Sequence, residues 1–358
     1  MQNQTRYQVW IILLLVLSAL ACSLSTAVDS PALTETAAAG ETAEAGWYSV
    51  YFSQPGSPQA QNQRGGPDAA LADAIDRARL SVDVAMYDLN LWSIRDALID
   101  AHQRGVMVHL VTESDNLERN EIQELIDAGV PVLGDRRQGL MHNKFIVIDR
   151  YEVWTGSMNM TLNGAYHNNE NLIRIQSSRL AEDYLTEFDE MFFDDLFGDA
   201  SPANTPYPSL DINGTSVEVY FSPDDGVQAH VVEQISRAQH SVYFLTFSLT
   251  SNPLRDALID AQERGLHVAG VIESAQSSND GCDYQALLQA GVGVRLDSNP
   301  KSMHHKVFII DGMIVITGSY NYSSSAENRN DENLIILHNT DIAQLYWQEF
   351  DKIYQTAQ

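Results

Sequence analysis

The sequence predicts an α/β protein built as two tandem halves, and three observations predict it. Residues from 47 onward repeat internally, too coarsely for a solenoid and at the right size for a duplicated domain. Within each copy, strands alternate with helices in the same order. One strand-and-turn motif, carrying the same polar residues, occurs in both copies. With 358 residues, 44% hydrophobic and 19% charged, the chain has the composition of a globular protein with a sizeable core.

The N-terminus reads as a targeting segment. Arg6 is the only charge in the first 22 residues, and an apolar run over residues 9–17 leads into Ser18-Ala19-Leu20-Ala21-Cys22. That is the pattern of a secretory signal over residues 1–21, and the run is too short to favour a membrane span. The cysteine after Ala21 resembles the lipobox of bacterial lipoproteins, although Ala19 stands where that pattern usually has Leu. The resemblance implies lipidation at Cys22 and anchoring on the extracytoplasmic side of a membrane; the other reading is plain secretion after Ala21. Lipidation would leave Cys282 without a disulfide partner. Residues 22–46, rich in Ala, Thr, Ser and Glu, read as a flexible tether, because they offer too little apolar surface to offset the entropy of ordering.

The repeat then divides the chain into a first half (47–198), a linker with Pro202, Pro206, Pro208 and Gly214 (199–215), and a second half (216–358). Val50-Tyr51-Phe52-Ser53 returns as Val219-Tyr220-Phe221-Ser222. Residues 95–100, RDALID, return unchanged at 255–260. Each copy starts with a strand and continues with a helix (68–79; 228–239) whose apolar residues, such as Leu71 and Ile75, fall at helical spacing. Next come an apolar strand (81–87; 241–247) and the RDALID helix, which stops before Gly105 or Gly265. Ser251 and Pro253 supply a cap and a first-turn proline in the second copy. A further strand (106–112; 267–272), a helix and the motif strand follow, an order that predicts largely parallel sheets.

The motif strand reads MHNKFIVID at 141–149 and MHHKVFIID at 303–311. Only four lysines exist in the chain (Lys144, Lys301, Lys306 and Lys352), and two of them stand two residues after His142 and His304. Alternate strand residues share a face, so His142 lies with Lys144 and His304 with Lys306, while Phe145 and Val147 point the other way. Asp149-Arg150 and Asp311-Gly312 read as hairpin turns. The return strands end in Gly156-Ser157-Met158-Asn159 and Gly318-Ser319-Tyr320-Asn321, back beside the His and Lys. Glu170 and Glu332 each lie 28 residues after their histidine. Such a set suits a phosphodiester. The anion needs fixed positive charge and oriented donors, a neutral imidazole can attack phosphorus, and a second imidazolium can protonate the departing alcohol. One copy has one histidine of this kind; the pair completes the set.

The doubled H-x-K-x4-D motif, each followed by G-S-x-N, resembles the phospholipase D superfamily over essentially all of residues 47–357. The resemblance implies two similar α/β/α sandwich halves packed as a pseudo-dimer, with the active site at their interface. It also implies a reaction through a phosphohistidine, with no metal and no cofactor. By position it assigns His142 and His304 as nucleophile and acid, with His142 favoured as nucleophile. Lys144, Lys306, Asn159 and Asn321 would bind phosphate, supported by Ser157 and Ser319. Glu170 and Glu332 would orient the histidines, and Asp149, Asp311, Gly156 and Gly318 would be structural.

The expected activity is cleavage of a phospholipid head group, with transfer to an alcohol as a variant, by a monomer held at a membrane surface. A nuclease using the same chemistry is the alternative enzyme, which a net charge of −27 disfavours because a nuclease needs a basic groove. A non-catalytic phosphate- or lipid-binding lipoprotein is the reading from another class. His305, next to His304 and therefore on the opposite face, reads as a packing residue. Arg136, Arg137 and Lys301 read either as solvated loop charge or as a positive rim for an anionic substrate. The acidic residues of 189–199 read as the solvated face of a helix with Met191, Phe192 and Leu196 inward.

Overall fold

A computed structural model describes residues 46–279 and 281–358, together with the paired residues 43–44. The targeting segment, Cys22 and nearly all of the tether lie outside the described residues. Among the described residues, no helix is long and apolar enough to cross a membrane.

The first half contains strands β1 (Ala43–Glu44), β2 (Tyr48–Phe52), β3 (Ser81–Met86), β4 (Met107–Thr112), β5 (Val132–Gly134), β6 (Lys144–Ile148), β7 (Glu152–Gly156) and β8 (Asn171–Gln176). They form one sheet in the order β1-β2-β8-β7-β6-β3-β4-β5. The second half has β9 (Ser209–Ile212), β10 (Thr215–Ser222), β11 (Ser241–Thr246), β12 (His267–Ile272), β13 (Gly293–Leu296), β14 (Lys306–Ile310), β15 (Ile314–Gly318) and β16 (Glu332–His338). Their order, β13-β12-β11-β14-β15-β16-β10-β9, is the same arrangement. Thus β1 lies in the stretch read as tether, and β9 in the stretch read as linker.

The expectation of largely parallel sheets is corrected. Only β3-β4-β5 and β11-β12-β13 pair in parallel; the other neighbours are antiparallel. The reason is local. Helical crossovers join only the parallel strands, whereas β6–β7 and β14–β15 are hairpins whose turn residues Asp149, Arg150, Asp311 and Gly312 all have φ between +53° and +65°.

Helices α1 (Pro58–Asn62), α2 (Pro67–Arg77), α3 (Trp92–Gln103), α4 (Asn120–Asp127), α5 (Leu162–Tyr166) and α6 (Ser178–Phe192) belong to the first half. Those of the second are α7 (Val227–Arg237), α8 (Asn252–Glu263), α9 (Tyr284–Gln289), α10 (Ser324–Asn328) and α11 (Thr340–Thr356). In α2, Leu71, Ala74 and Ile75 are buried against Val82, Val84 and Ile146, and α3 adds Ile94, Leu98 and Ala101 to the same core. The cap read at Ser251 forms, with its Oγ accepting from the Leu254 N–H at 3.4 Å. Helix α1 has no counterpart in the second half, which runs from β10 to α7 through a short turn.

Each half is therefore an α/β/α sandwich, with α2, α3 and α4, or α7, α8 and α9, on the outer face. A third core lies between the halves. Phe145, Val147 and Ile173 meet Val307, Ile309 and Ile335 there, together with Tyr184 and Phe188 of α6 and Tyr346 and Phe350 of α11. The faces of β6 and β14 opposite the lysines thus bury the interface between halves. Helix α6 ends at Phe192, before Leu196; Glu190, read as solvated, is buried, and Phe193 is exposed instead.

Candidate active site

His142 and His304 sit just ahead of β6 and β14, at the ends of the two sheets, and are 7% and 9% exposed. Isolated parallel bridges tie the two entering segments across the molecule. The His142 N–H donates to the Asp331 carbonyl at 3.0 Å, and the His304 N–H donates to the Asn169 carbonyl at 3.0 Å. Each bridge sets the residue before a glutamate beside the other half's histidine.

The glutamates consequently cross over. Glu332 Oε2 lies 2.7 Å from Nδ1 of His142, and Glu170 Oε1 lies 2.8 Å from Nδ1 of His304. An ionised carboxylate only accepts, so wherever these glutamates are ionised the proton belongs on Nδ1 and the lone pair on Nε2. Ser157 Oγ donates to Glu170 at 2.7 Å and Ser319 Oγ to Glu332 at 2.8 Å. Gly156 and Gly318 precede these serines at φ +148° and +146°, and a Cβ at either would overlap the carbonyl of Asn171 or Asn333. Lys144 and Lys306 are buried and donate to the carbonyls of their own histidines at 2.8 and 2.7 Å. Asn159 and Asn321 each leave a buried side-chain oxygen without a partner, at matching positions. Asp149 accepts from the backbone N–H groups of Arg79, Leu80 and Ser81, and Asp311 from those of Gln239, His240 and Ser241.

Burial governs the charge of the site. It lowers Lys144 to about 8 and Lys306 to about 7. Burial, with the two lysines, holds His142 well below the usual imidazole range; His304 falls to about 4, again chiefly by burial. The carboxylates diverge. Burial pushes Glu332 up to about 7, whereas for Glu170 the opposing attraction of His304 and Lys306 outweighs burial and keeps it low.

Several contributors escape a reading by motif. The rings of Tyr87 and Phe247 pack edge-on against His142 and His304 at 4.8 and 4.6 Å, with the lysine ammonium groups over their faces at 5.1 and 4.9 Å. The signal was an aromatic at the end of the same strand in both copies. Glu113 and Glu273 accept the N–H groups of Met141 and Met303 at 3.0 and 2.6 Å and fix the backbone ahead of each histidine. Asn171 and Asn333 cross the interface as the glutamates do: Asn333 donates to Asn143 at 2.9 Å, and Asn171 contacts His305 at 3.0 Å. The basic residues upstream do not form one rim. Arg137 is ion-paired with Asp331 and Arg136 with Asp195, while Lys301 lines a cavity of about 550 Å³ between the halves with Asn169, Asn299 and Lys352.

A family model described as cardiolipin synthase, PLD-like domain, matches residues 71–192 and again 231–354. The chain belongs to the phospholipase D superfamily. Among curated relatives in that superfamily, a phospholipase D of Rickettsia prowazekii is 33% identical over 144 residues, 40% of this chain and 70% of the relative. A mitochondrial cardiolipin hydrolase of Chlamydomonas reinhardtii is 28% identical over 179 residues, 43% of this chain and 80% of the relative. The crystal structure of a phosphatidylserine synthase from Haemophilus influenzae covers 86% of this chain and 87% of its own, with a TM-score of 0.65 at 14% identity. That likeness shows the two-half phospholipase D fold.

Proposed function

We propose that the protein is a phospholipase D-type phosphodiesterase that cleaves the head group of a phospholipid through a phosphohistidine. The observation that carries this reading is the pair of crossed His–Glu contacts, which gives one buried site two imidazoles with free Nε2 lone pairs beside two lysines. The names of the relatives, a phospholipase D and a cardiolipin hydrolase, favour a lipid substrate. So does the net charge of −27, which would repel a nucleic acid from all but a local patch.

In the proposed reaction the phosphodiester anion sits between Lys144 and Lys306, with Asn159 and Asn321 on its oxygens. Its charge restores the ammonium character that burial suppresses and eases protonation of an imidazole. Nε2 of one histidine attacks phosphorus, and the P–O bond to the leaving alcohol breaks as the other histidine delivers its proton to that oxygen. The second histidine, now neutral, takes a proton from water or an acceptor alcohol, which attacks phosphorus and releases the first histidine. Burial holds both imidazoles below their usual range, so what separates them is the partner carboxylate: Glu332 is itself pushed up to about 7 and favours a neutral His142, which suits the nucleophile. His304 suits the acid, since its partner Glu170 remains anionic and stabilises an imidazolium.

The signal-like segment ending at Cys22 supports export and a lipid anchor, which would hold a monomer at its substrate's surface. The test assays native chain and His142→Ala in parallel on phosphatidylcholine, cardiolipin and single-stranded DNA. The reading expects head-group release from lipid that vanishes in the variant. Activity on DNA alone would make it a nuclease, and no activity on any of the three would leave a binding protein.

A further inference from the structure

Arg137 stands in the loop that enters His142, yet its guanidinium points into the boundary between the halves rather than toward solvent. Nη2 is ion-paired with Asp331 Oδ2 and donates to the Leu140 carbonyl at 3.4 Å, Nη1 donates to the Arg329 carbonyl, and the plane lies 5.9 Å from the centre of the Phe197 ring. The second Asp331 oxygen accepts from the Gly198 N–H at 2.6 Å. The backbone of Asp331 is the bridge strand itself: its N–H donates to Leu140 at 2.9 Å and its carbonyl accepts from His142 at 3.0 Å. One guanidinium thus grips both sides of a two-bond bridge whose next residues are His142 and Glu332. The chain makes room for it, because a Cβ at Gly139 or at Gly198 would overlap Nη1.

The matching place in the other half is built differently. Asn299 and Asn169 occupy the positions of Arg137 and Asp331, and the Asn299 amide donates to Asn169 Oδ1 at 2.7 Å. The bridge persists, with Asn169 donating to Ser302 at 2.8 Å and accepting from His304 at 3.0 Å. A charged clamp therefore braces the His142–Glu332 pair and a neutral amide pair braces His304–Glu170.

We propose that Arg137 is a positioning residue that sets the geometry of the His142–Glu332 pair, and that the charged clamp on one side and the amide clamp on the other make the two histidines inequivalent. Its reach to the reaction rests on the function proposed above; its effect on the pair does not. Loss of the guanidinium leaves the Asp331 side chain held only by the Gly198 N–H, loosens the bridge and lets Glu332 drift from Nδ1, while His304 keeps its partner. Small misplacements of this kind cost roughly 10- to 100-fold in rate.

The test compares native full chain, Arg137→Met and Asn299→Ala by proton NMR with ¹⁵N-histidine labelling, reading the imidazole Nδ1–H resonances, and by steady-state kinetics. In Arg137→Met the His142 Nδ1–H resonance moves upfield or exchanges away while that of His304 stays. In Asn299→Ala the pattern is reversed. Turnover of Arg137→Met falls about 10- to 100-fold with KM within about twofold, and millimolar guanidinium ion restores part of it. If Arg137→Met does not fold, Arg137→Lys, which keeps the charge but not the fork, is read in the same way. An unmoved His142 resonance overturns the proposal, as do both resonances moving together, or a rise in KM at unchanged kcat, which would make Arg137 a substrate contact. A native chain without turnover on any phosphodiester would count against the proposed function alone, since the resonances are read without substrate.

Discussion

Glu332 holds Nδ1 of His142 at 2.7 Å from the opposite half of the molecule, 190 residues away in the chain. Glu170 does the same for His304 at 2.8 Å. Neither motif histidine is paired with a glutamate of its own half, so the site exists only when the two halves are packed. The interface core of Phe145, Val147, Val307 and Ile309 is therefore as much a part of the catalytic arrangement as the motif itself.

Crossing makes a specific kinetic prediction. Glu332→Ala removes the acceptor that fixes the His142 tautomer, and Glu170→Ala does so for His304. Each should lower kcat by roughly 10²-fold or more with little change in KM. If Glu332 serves the nucleophile, its loss slows formation of the phosphoenzyme, and loss of Glu170 slows departure of a poor leaving group most. Single-turnover rates with alkyl and nitrophenyl phosphodiesters separate the two.

The lysines predict the alkaline limb of the pH profile. Lys306 at about 7 and Lys144 at about 8 are cationic below those values and neutral above them. An anionic substrate needs them charged, so kcat/KM should fall as pH rises through about 7 to 8 in the free enzyme. Because the bound anion raises both values, kcat should fall at higher pH than kcat/KM does. A profile flat to pH 10 would contradict this.

Asp149 accepts several backbone N–H groups at the turn between α2 and β3, and Asp311 does the same between α7 and β11. Asp149→Ala or Asp311→Ala should cost about 1–3 kcal/mol of stability by chemical denaturation. The folded fraction should keep near-native kcat.

Two carboxylates, one buried and one half-buried, oppose stability at neutral pH. Glu190 and Asp224 are each pushed to about 7 by burial, and Glu190 Oε1 has no partner. A carboxyl raised in this way binds more protons folded than unfolded between the unfolded value near 4.5 and the folded value near 7. Its contribution is thus present at low pH and lost as pH rises through that window. Glu190→Gln should raise Tm by a few degrees at pH 8 and by less at pH 5.5. An equal shift at both pH values would contradict the assignment.

Much of this was legible in the sequence because duplication repeats every local signal. The α/β halves, the hairpin turns at Asp149 and Asp311 and the meeting of His142 with Lys144 on one face all follow from periodicity and turn chemistry. Strand direction was legible at those hairpins and not elsewhere in the sheets. Alternation of strands and helices reads as parallel, and nothing local marks Asn171–Gln176 and Glu332–His338 as antiparallel insertions that carry the site across the interface. The partner of each glutamate was also hidden, since Glu170 lies 28 residues after His142 yet serves His304. Arg137 was misread for the same reason: a basic residue in a polar loop looks solvated until its contact, 194 residues away, is seen.

The central claim is that the two halves form one site in which one histidine is phosphorylated and the other moves protons. Acid-free rapid quench of His304→Ala with a nitrophenyl phosphodiester, whose leaving group needs no proton, tests it most directly. The account predicts phosphate on His142, located by mass spectrometry and persisting because the group that activates water is gone, with none in His142→Ala. Absence of phosphohistidine from both variants and from native protein under the same quench would contradict it.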